Sequence, residues 1–195
     1  MNLILVRHGE IEENHKALYC GFTDSALTER GILQAKEMSE QLKEEKIDMI
    51  VSSNLKRAIK TAQMIHQHHK VKIIEDENLR EMNFGLWEGL SYHTIKEKYP
   101  KELQKWQEDW IGYRVPKGES LAQMYERVVE CIKRIRKEYK NQNILIVSHA
   151  GCIRAIISYL VGNGVEDYWK YKIENCRVTK IEIVDDFPVL TALNQ

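Results

Sequence analysis

Three short runs of apolar residues stand out along the chain, at Leu3 to Val6, Ile47 to Val51 and Ile144 to Val147. None alternates with polar positions, and each is bounded by polar or turn residues. Such runs are expected of strands buried on both faces, which are central and largely parallel. A helical pattern follows each one: Ile32, Ala35, Met38 and Leu42; then Leu55, Ala58, Ile59, Ala62 and Ile65; then Ile153, Ile156, Ile157 and Leu160. Strands alternating with amphipathic helices predict the α/β class, a three-layer sandwich in which a mostly parallel central sheet is flanked by helices.

Several element ends are also legible. Thr28, with Leu27 before it as a staple residue, reads as an N-cap, and Ser120 with Gln123 reads as a capping box. The second opens a long helix to about Tyr139 with a core stripe of Leu121, Met124, Val128, Ile132 and Ile135. Gly162 is the expected stop for a later helix from Cys152. Val178 to Val184 alternates enough to be a further strand nearer an edge, with Val189 to Leu193 beside it. Between Phe84 and Gly118 the pattern changes, and Trp87, Tyr92, Tyr99, Trp106, Trp110 and Tyr113 crowd around short helical stretches broken at Pro100. This segment, about 84–118, is expected to be a small helical lid excursion above the sheet's carboxyl edge, its aromatics covering core, lining a site, or both.

Composition bounds the reading. With 195 residues, 43% of them apolar and 30% charged, the chain suffices for one sizeable core, so a single domain over 1–195 is expected. Lys plus Arg equals Asp plus Glu at 29 each. No bulk charge favours nucleic acid or an anionic membrane, and any anion must be caught by a local cluster. The Leu3 to Val6 run is too short for a signal-peptide core and no stretch approaches membrane-spanning length, so a cytoplasmic location is expected. Cys20, Cys131, Cys152 and Cys176 are scattered without a C-x-x-C pair, which predicts reduced thiols rather than a zinc site or a disulfide framework. A neutral surface suits a monomer or homodimer.

The residues with chemical promise fall at the ends of the predicted strands. Arg7-His8-Gly9-Glu10 follows the first, Ser52-Ser53-Asn54-Leu55-Lys56-Arg57 the second, and Ser148-His149-Ala150-Gly151 the third. Ligand crevices of open α/β sheets lie at that edge. Arg57 is placed in the first turn of a helix, where free N–H groups already favour an anion. A cation there makes sense with a phosphate in front of both. The segment Leu79 to Gly89 contributes Glu81 as the candidate proton donor, with Glu88 as the weaker choice, because a carboxyl group held against an anion keeps its proton to higher pH.

Together these segments resemble the histidine phosphatase superfamily, also called the phosphoglycerate mutase-like family. The resemblance rests on Arg7-His8-Gly9 with Asn14, Tyr19-Cys20-Gly21 and Asp24, Leu27 through Gly31, Ser52 to Ala62, Leu79 to Gly89, Pro116 to Ser120, and Ser148 to Gly151, in family order. It implies that His8 attacks phosphorus and forms a phosphohistidine, while Arg7, Arg57 and His149 hold the phosphoryl oxygens. Glu81 would protonate the leaving alkoxide and then activate water, and Asn14, Cys20 and Gly21 would approach the phosphate. No metal or other cofactor is implied. The segment after Glu81 is like the phosphatase branch, and the Tyr19-Cys20-Gly21, Leu79 to Gly85 and Trp106 to Trp110 combination is most like the α-ribazole phosphatases, whose substrate's benzimidazole ring suits aromatic lid residues. Broad-specificity and phosphoserine phosphatases share nearly all these residues. A phosphoglycerate mutase or a non-catalytic phospho-ligand-binding module fits less well, since paired lid arginines are missing and both His8 and Glu81 are present. The implied partner is a small phosphomonoester, with neither nucleic acid nor membrane.

Overall fold

A computed structural model describes residues 1–195. A six-stranded sheet runs in the order β3-β2-β4-β1-β5-β6, with β1 Asn2–Arg7, β2 Met49–Ser52, β3 Ile73–Glu75, β4 Asn143–Ser148, β5 Val178–Val184 and β6 Phe187–Ala192. β1 to β4 are mutually parallel, while β5 is antiparallel to both β1 and β6. The three predicted central strands are therefore the parallel middle of the sheet. β5 lies one strand inside the edge, which β6 forms. The half-exposed, three-residue β3 has no counterpart among the predicted strands.

The apolar runs do not alternate because both faces are covered. Leu3, Leu5, Ile144 and Ile146 belong to one core cluster, with the stripe of α6 (Leu121–Glu138) and with α7 (Ala150–Val161). Ile4, Val6, Leu145 and Val147 belong to the other, against α2 (Glu29–Leu42) and α3 (Lys56–His66). Successive residues of one strand thus feed opposite cores.

The helix starts follow the sequence signals closely. Thr28 Oγ1 accepts from the Gly31 amide at 3.0 Å, and Ser120 and Gln123 form the reciprocal capping box of α6. Leu55 lies outside α3 as its N-cap residue, and α7 begins at Ala150, two residues before Cys152, ending at Gly162. The N-terminus of α3 is served by the Asp24 carboxylate, which accepts from the Lys56 amide at 2.7 Å. That carboxylate stands at the positive end of Arg57's helix. The aromatic segment carries α4 (Tyr92–Lys98) and α5 (Pro100–Glu108), and Pro100 opens α5, where its missing N–H costs nothing. The short helix α1 spans Glu12–His15. No helix is long and apolar enough to cross a membrane.

Candidate active site

The parallel pairing of β1 with β4 sets Arg7 opposite Ser148, so His8 and His149 leave adjacent strand ends together. Their ring centroids lie 5.0 Å apart and both rings are buried. His8 is oriented by its own neighbour: Nδ1 is 2.7 Å from the Gly9 carbonyl. A carbonyl only accepts, so the proton sits on Nδ1 and the lone pair on Nε2. Burial, followed by the Arg57 and Arg7 charges, holds His8 well below its ordinary pKa of 6.5 against the opposing hydrogen bond to Gly9. A neutral imidazole with a free Nε2 is a nucleophile near neutral pH.

Arg57 is fully buried and donates from Nε to His149 Nδ1 at 3.2 Å, from one terminal nitrogen to Thr23 O at 2.7 Å, and from the other to Gly21 O at 2.6 Å. Each terminal nitrogen keeps one further N–H. Arg7 donates to Ile173 O at 2.9 Å, while its Nε is buried without a partner. An orphaned buried N–H of a guanidinium is costly unless an anion receives it. Burial first, then Arg154 and Arg57, lower the Arg7 pKa while Glu81 raises it.

Because Arg57 Nε can only donate, His149 Nδ1 accepts. Burial and then the Arg57 charge lower the His149 pKa well below 6.5, so the ring is neutral, and its Nε2–H donates to Ser53 Oγ at 2.8 Å. Both nitrogens of His149 are thereby engaged within the protein. Contact with a phosphoryl oxygen requires exchange of the Ser53 partner.

Glu81 reaches the site from the loop after the 3₁₀ turn Glu77–Leu79. Its oxygens accept from the Met82 amide at 2.9 Å and from the Gly151 amide, in the first turn of α7, at 3.0 Å. A Cβ at Gly151 would collide with Glu81 Oε1, so the carboxylate occupies the space a side chain would need. Arg127 of α6 fixes this loop by donating to the carbonyls of Asn78, Arg80 and Glu81 at 2.8–2.9 Å, with Glu119 gripping its other edge at 2.8 and 2.9 Å.

The two carboxylates thus separate. Glu88 receives the amides of Gly21, Phe22, Thr23 and Phe84 at 3.0–3.2 Å and the Thr23 hydroxyl at 2.7 Å. It clamps the loop around Cys20. The same clamp occupies the Gly21 amide, while a Cβ on Gly21 would collide with Met82 O. The Cys20 thiol is pushed by burial up to about 11, so it stays protonated near neutrality. Asn14 Oδ1 accepts from the Ile11 amide at 3.3 Å and from Asn175 Nδ2 at 3.1 Å. Asn175 Nδ2 also donates to His8 O at 2.8 Å.

Beside Glu81 lies a cavity of about 60 Å³ with wholly apolar or aromatic walls, including Met82, Phe84, Trp106, Trp110, Tyr168 and Trp169. Trp106 and Trp110 therefore line it. Tyr113 stacks on the buried Trp87 at 6.5 Å, and Tyr92 is exposed and bonded to Gln107. No three His, Cys, Asp or Glu side chains are grouped to hold a metal ion.

Asn175, Arg127 and Trp169 complete the site without having been marked in the sequence, while Ser53 and Glu119 lay inside marked segments. Asn175 follows an irregular segment, and Arg127 is one charge among many on the polar side of α6. Ser53 stood in the strand-end segment and carried its signal in that position.

Known proteins resemble this chain along its whole length. The model of the histidine phosphatase superfamily (branch 1) matches residues 3–195. Phosphoserine phosphatase 1 of Hydrogenobacter thermophilus is 34% identical over all of this chain and 92% of its own length. The adenosylcobalamin/alpha-ribazole phosphatase of Escherichia coli K12 is 31% identical over all of this chain and 96% of its own. The crystal structure of the alpha-ribazole phosphatase from Shigella flexneri superposes with a TM-score of 0.94 at 32% identity, covering all of this chain and 96% of that one. An Arg-His strand end, a buried arginine and a second histidine on the neighbouring strand thus accompany similarity along the whole chain, which belongs to the histidine phosphatase superfamily as a phosphoric monoester hydrolase.

Proposed function

We propose that this chain hydrolyses α-ribazole 5′-phosphate without a metal, through a phosphohistidine at His8. The lone pair on His8 Nε2 forms the N–P bond while the P–O bond to the ribose alkoxide breaks. Arg7 and Arg57 receive the charge that spreads over the phosphoryl oxygens, the former through its orphaned Nε–H and the latter through its spare terminal N–H groups. His149 joins them by exchanging Ser53 for a phosphoryl oxygen, and the Asn14 amide and the Cys20 backbone N–H complete the cradle. Glu81 donates its proton to the departing alkoxide. In the second step its carboxylate takes a proton from the attacking water, the N–P bond breaks, and neutral His8 is regenerated.

The observation that supports the substrate is the apolar, aromatic cavity walled by Met82, next to Glu81 in the chain, and by Tyr168, on the side where the leaving group would stand. Benzimidazole is flat and apolar and suits such walls. Phosphoserine is the second reading, favoured by the 34% identity to the Hydrogenobacter enzyme. A small soluble phosphomonoester of either kind fits a cytoplasmic monomer or homodimer. The test is phosphate release, with chelator present, from α-ribazole 5′-phosphate, phosphoserine, phosphoglycerate, nucleotides and sugar phosphates. The highest kcat/KM for α-ribazole 5′-phosphate is expected. A preference for phosphoserine replaces the substrate, a flat profile leaves a broad-specificity phosphatase, and no release from any substrate removes the hydrolase mechanism.

A further inference from the structure

The aromatic cavity is closed by two chain regions far apart in sequence. Trp110 follows α5, whereas Trp169 stands on the 3₁₀ segment Gly164–Lys170 after α7. Their ring centroids lie 6.4 Å apart at 55°. Trp169 is 54% exposed, while its neighbour Tyr168 is buried.

The backbone under Trp169 is fixed although its ring is exposed. Asp167 accepts from the Asn163 amide at 3.1 Å and pairs with Lys170 at 2.7 Å. The indole meets Tyr168 edge-on at 4.9 Å, and the Arg154 guanidinium lies 5.0 Å from its centroid, tethered through Nε to Tyr171 O at 2.8 Å. Cation and edge contacts of this kind hold an aromatic ring in a defined orientation. The Tyr168 hydroxyl lies 2.7 Å from where a Cβ on Gly151 would stand, next to Glu81. The segment that presents Trp169 therefore borders the carboxyl group assigned to the leaving oxygen.

We infer that Trp169 and Trp110 form a clamp that selects phosphomonoesters whose leaving group carries a planar aromatic ring. This rests on the phosphomonoesterase reading above. None of the nine residues around the cavity is charged, so an ammonium or carboxylate on the leaving group finds no ionic partner in its walls. A cavity of about 60 Å³ is smaller than a bicyclic ring. Such a ring enters by taking the place of the Trp110–Trp169 contact, against the Trp169 ring that Tyr168 and Arg154 hold. Trp169 is thus a specificity-determining residue, and Arg154 is a positioning residue behind it.

The experiment compares 1-naphthyl phosphate with glycerol 2-phosphate in the wild type, Trp169→Ala and Trp169→Phe. Trp169→Ala is expected to raise KM for the naphthyl ester about tenfold, the scale of one lost aromatic stack, with kcat and the glycerol ester little changed. Trp169→Phe should recover most of the loss. Equal changes on both esters, no change on either, or a wild type without preference for the naphthyl ester would overturn the clamp while leaving the hydrolase intact. Absence of turnover in the wild type would instead count against the hydrolase mechanism. Equilibrium binding then decides the clamp: it stands if Trp169→Ala weakens 1-naphthyl phosphate but not inorganic phosphate, and it falls if the variant binds both as the wild type does.

Discussion

The two ends of the site are built on opposite principles. At the phosphate end His8, Arg57 and His149 are buried on strand ends and one helix, and Arg57 and His149 have every ring or guanidinium nitrogen held by a protein partner. At the leaving-group end the walls are aromatic side chains of loops and short helices, with Trp169 largely exposed. Charge development demands fixed dipoles, because reorienting them during reaction would consume the stabilisation they give. Shape recognition of a ring tolerates adjustment. The contrast accords with relatives of similar identity to this chain being named for different substrates, as with the phosphoserine and α-ribazole phosphatases.

The sharpest way to break this contrast is at the nucleophile. His8→Ala is expected to reduce release from every ester at least about 10³-fold, irrespective of the leaving group. A loss confined to some substrates would place the chemistry elsewhere. Glu81→Gln acts at the boundary between the two ends. It should slow alkyl esters by about 10²–10⁴-fold yet leave p-nitrophenyl phosphate much less affected, since a good leaving group needs no proton. Equal losses on both would remove Glu81 from the acid role.

A smaller effect is expected from Glu88→Gln, which weakens the clamp on the Cys20 loop without touching His8. The loss of charge-assisted bonds to buried amides should lower unfolding stability by about 2–3 kcal/mol in denaturant titrations and raise KM for all esters alike. Unchanged stability would show that the loop is held by other contacts.

The smallest effect is on pH dependence. His8 and His149 are depressed well below 6.5 in the fold, so below that value the unfolded chain binds more protons than the native one. Stability contributed by keeping them neutral is present above pH 6.5 and is lost as pH falls below it. Between pH 7 and 5 each histidine should add up to about 1.4 kcal/mol per pH unit to the slope of stability. His149→Gln should flatten that slope, and an unchanged slope would mean the ring titrates normally in the fold. The acid limb of kcat/KM should likewise lie below 6.5 wherever it reports His8.

The phosphate end was legible in the sequence because a strand end and a helix start each confine a residue to one place. Arg7, His8, Arg57 and His149 were located by the apolar runs before them, and the observed sheet brings those three segments together. Glu81 was ranked above Glu88 from the sequence, but the clamp that Glu88 forms on the Cys20 loop was not legible, since only the folded loop shows four amides and a hydroxyl converging on it. Trp169 escaped because a seven-residue 3₁₀ segment shows neither the helical nor the strand period, and Asn175 because it follows an irregular segment. The short β3 escaped because three half-exposed residues give too little pattern.

The sheet order has a consequence for how the molecule comes into being. β1, which precedes the other five strands along the chain, lies between β4 and β5, which fall within residues 143–184. During synthesis from the N-terminus, the strand that delivers Arg7 and His8 has no neighbour until most of the chain has emerged. Pairings of such long sequence separation are slow to close, and an apolar strand left waiting is a point of misassociation. Arg7 and His8 therefore gain strands on both sides only after residues 143–184 have emerged, and no nascent fragment ending before β4 sets His149 beside His8.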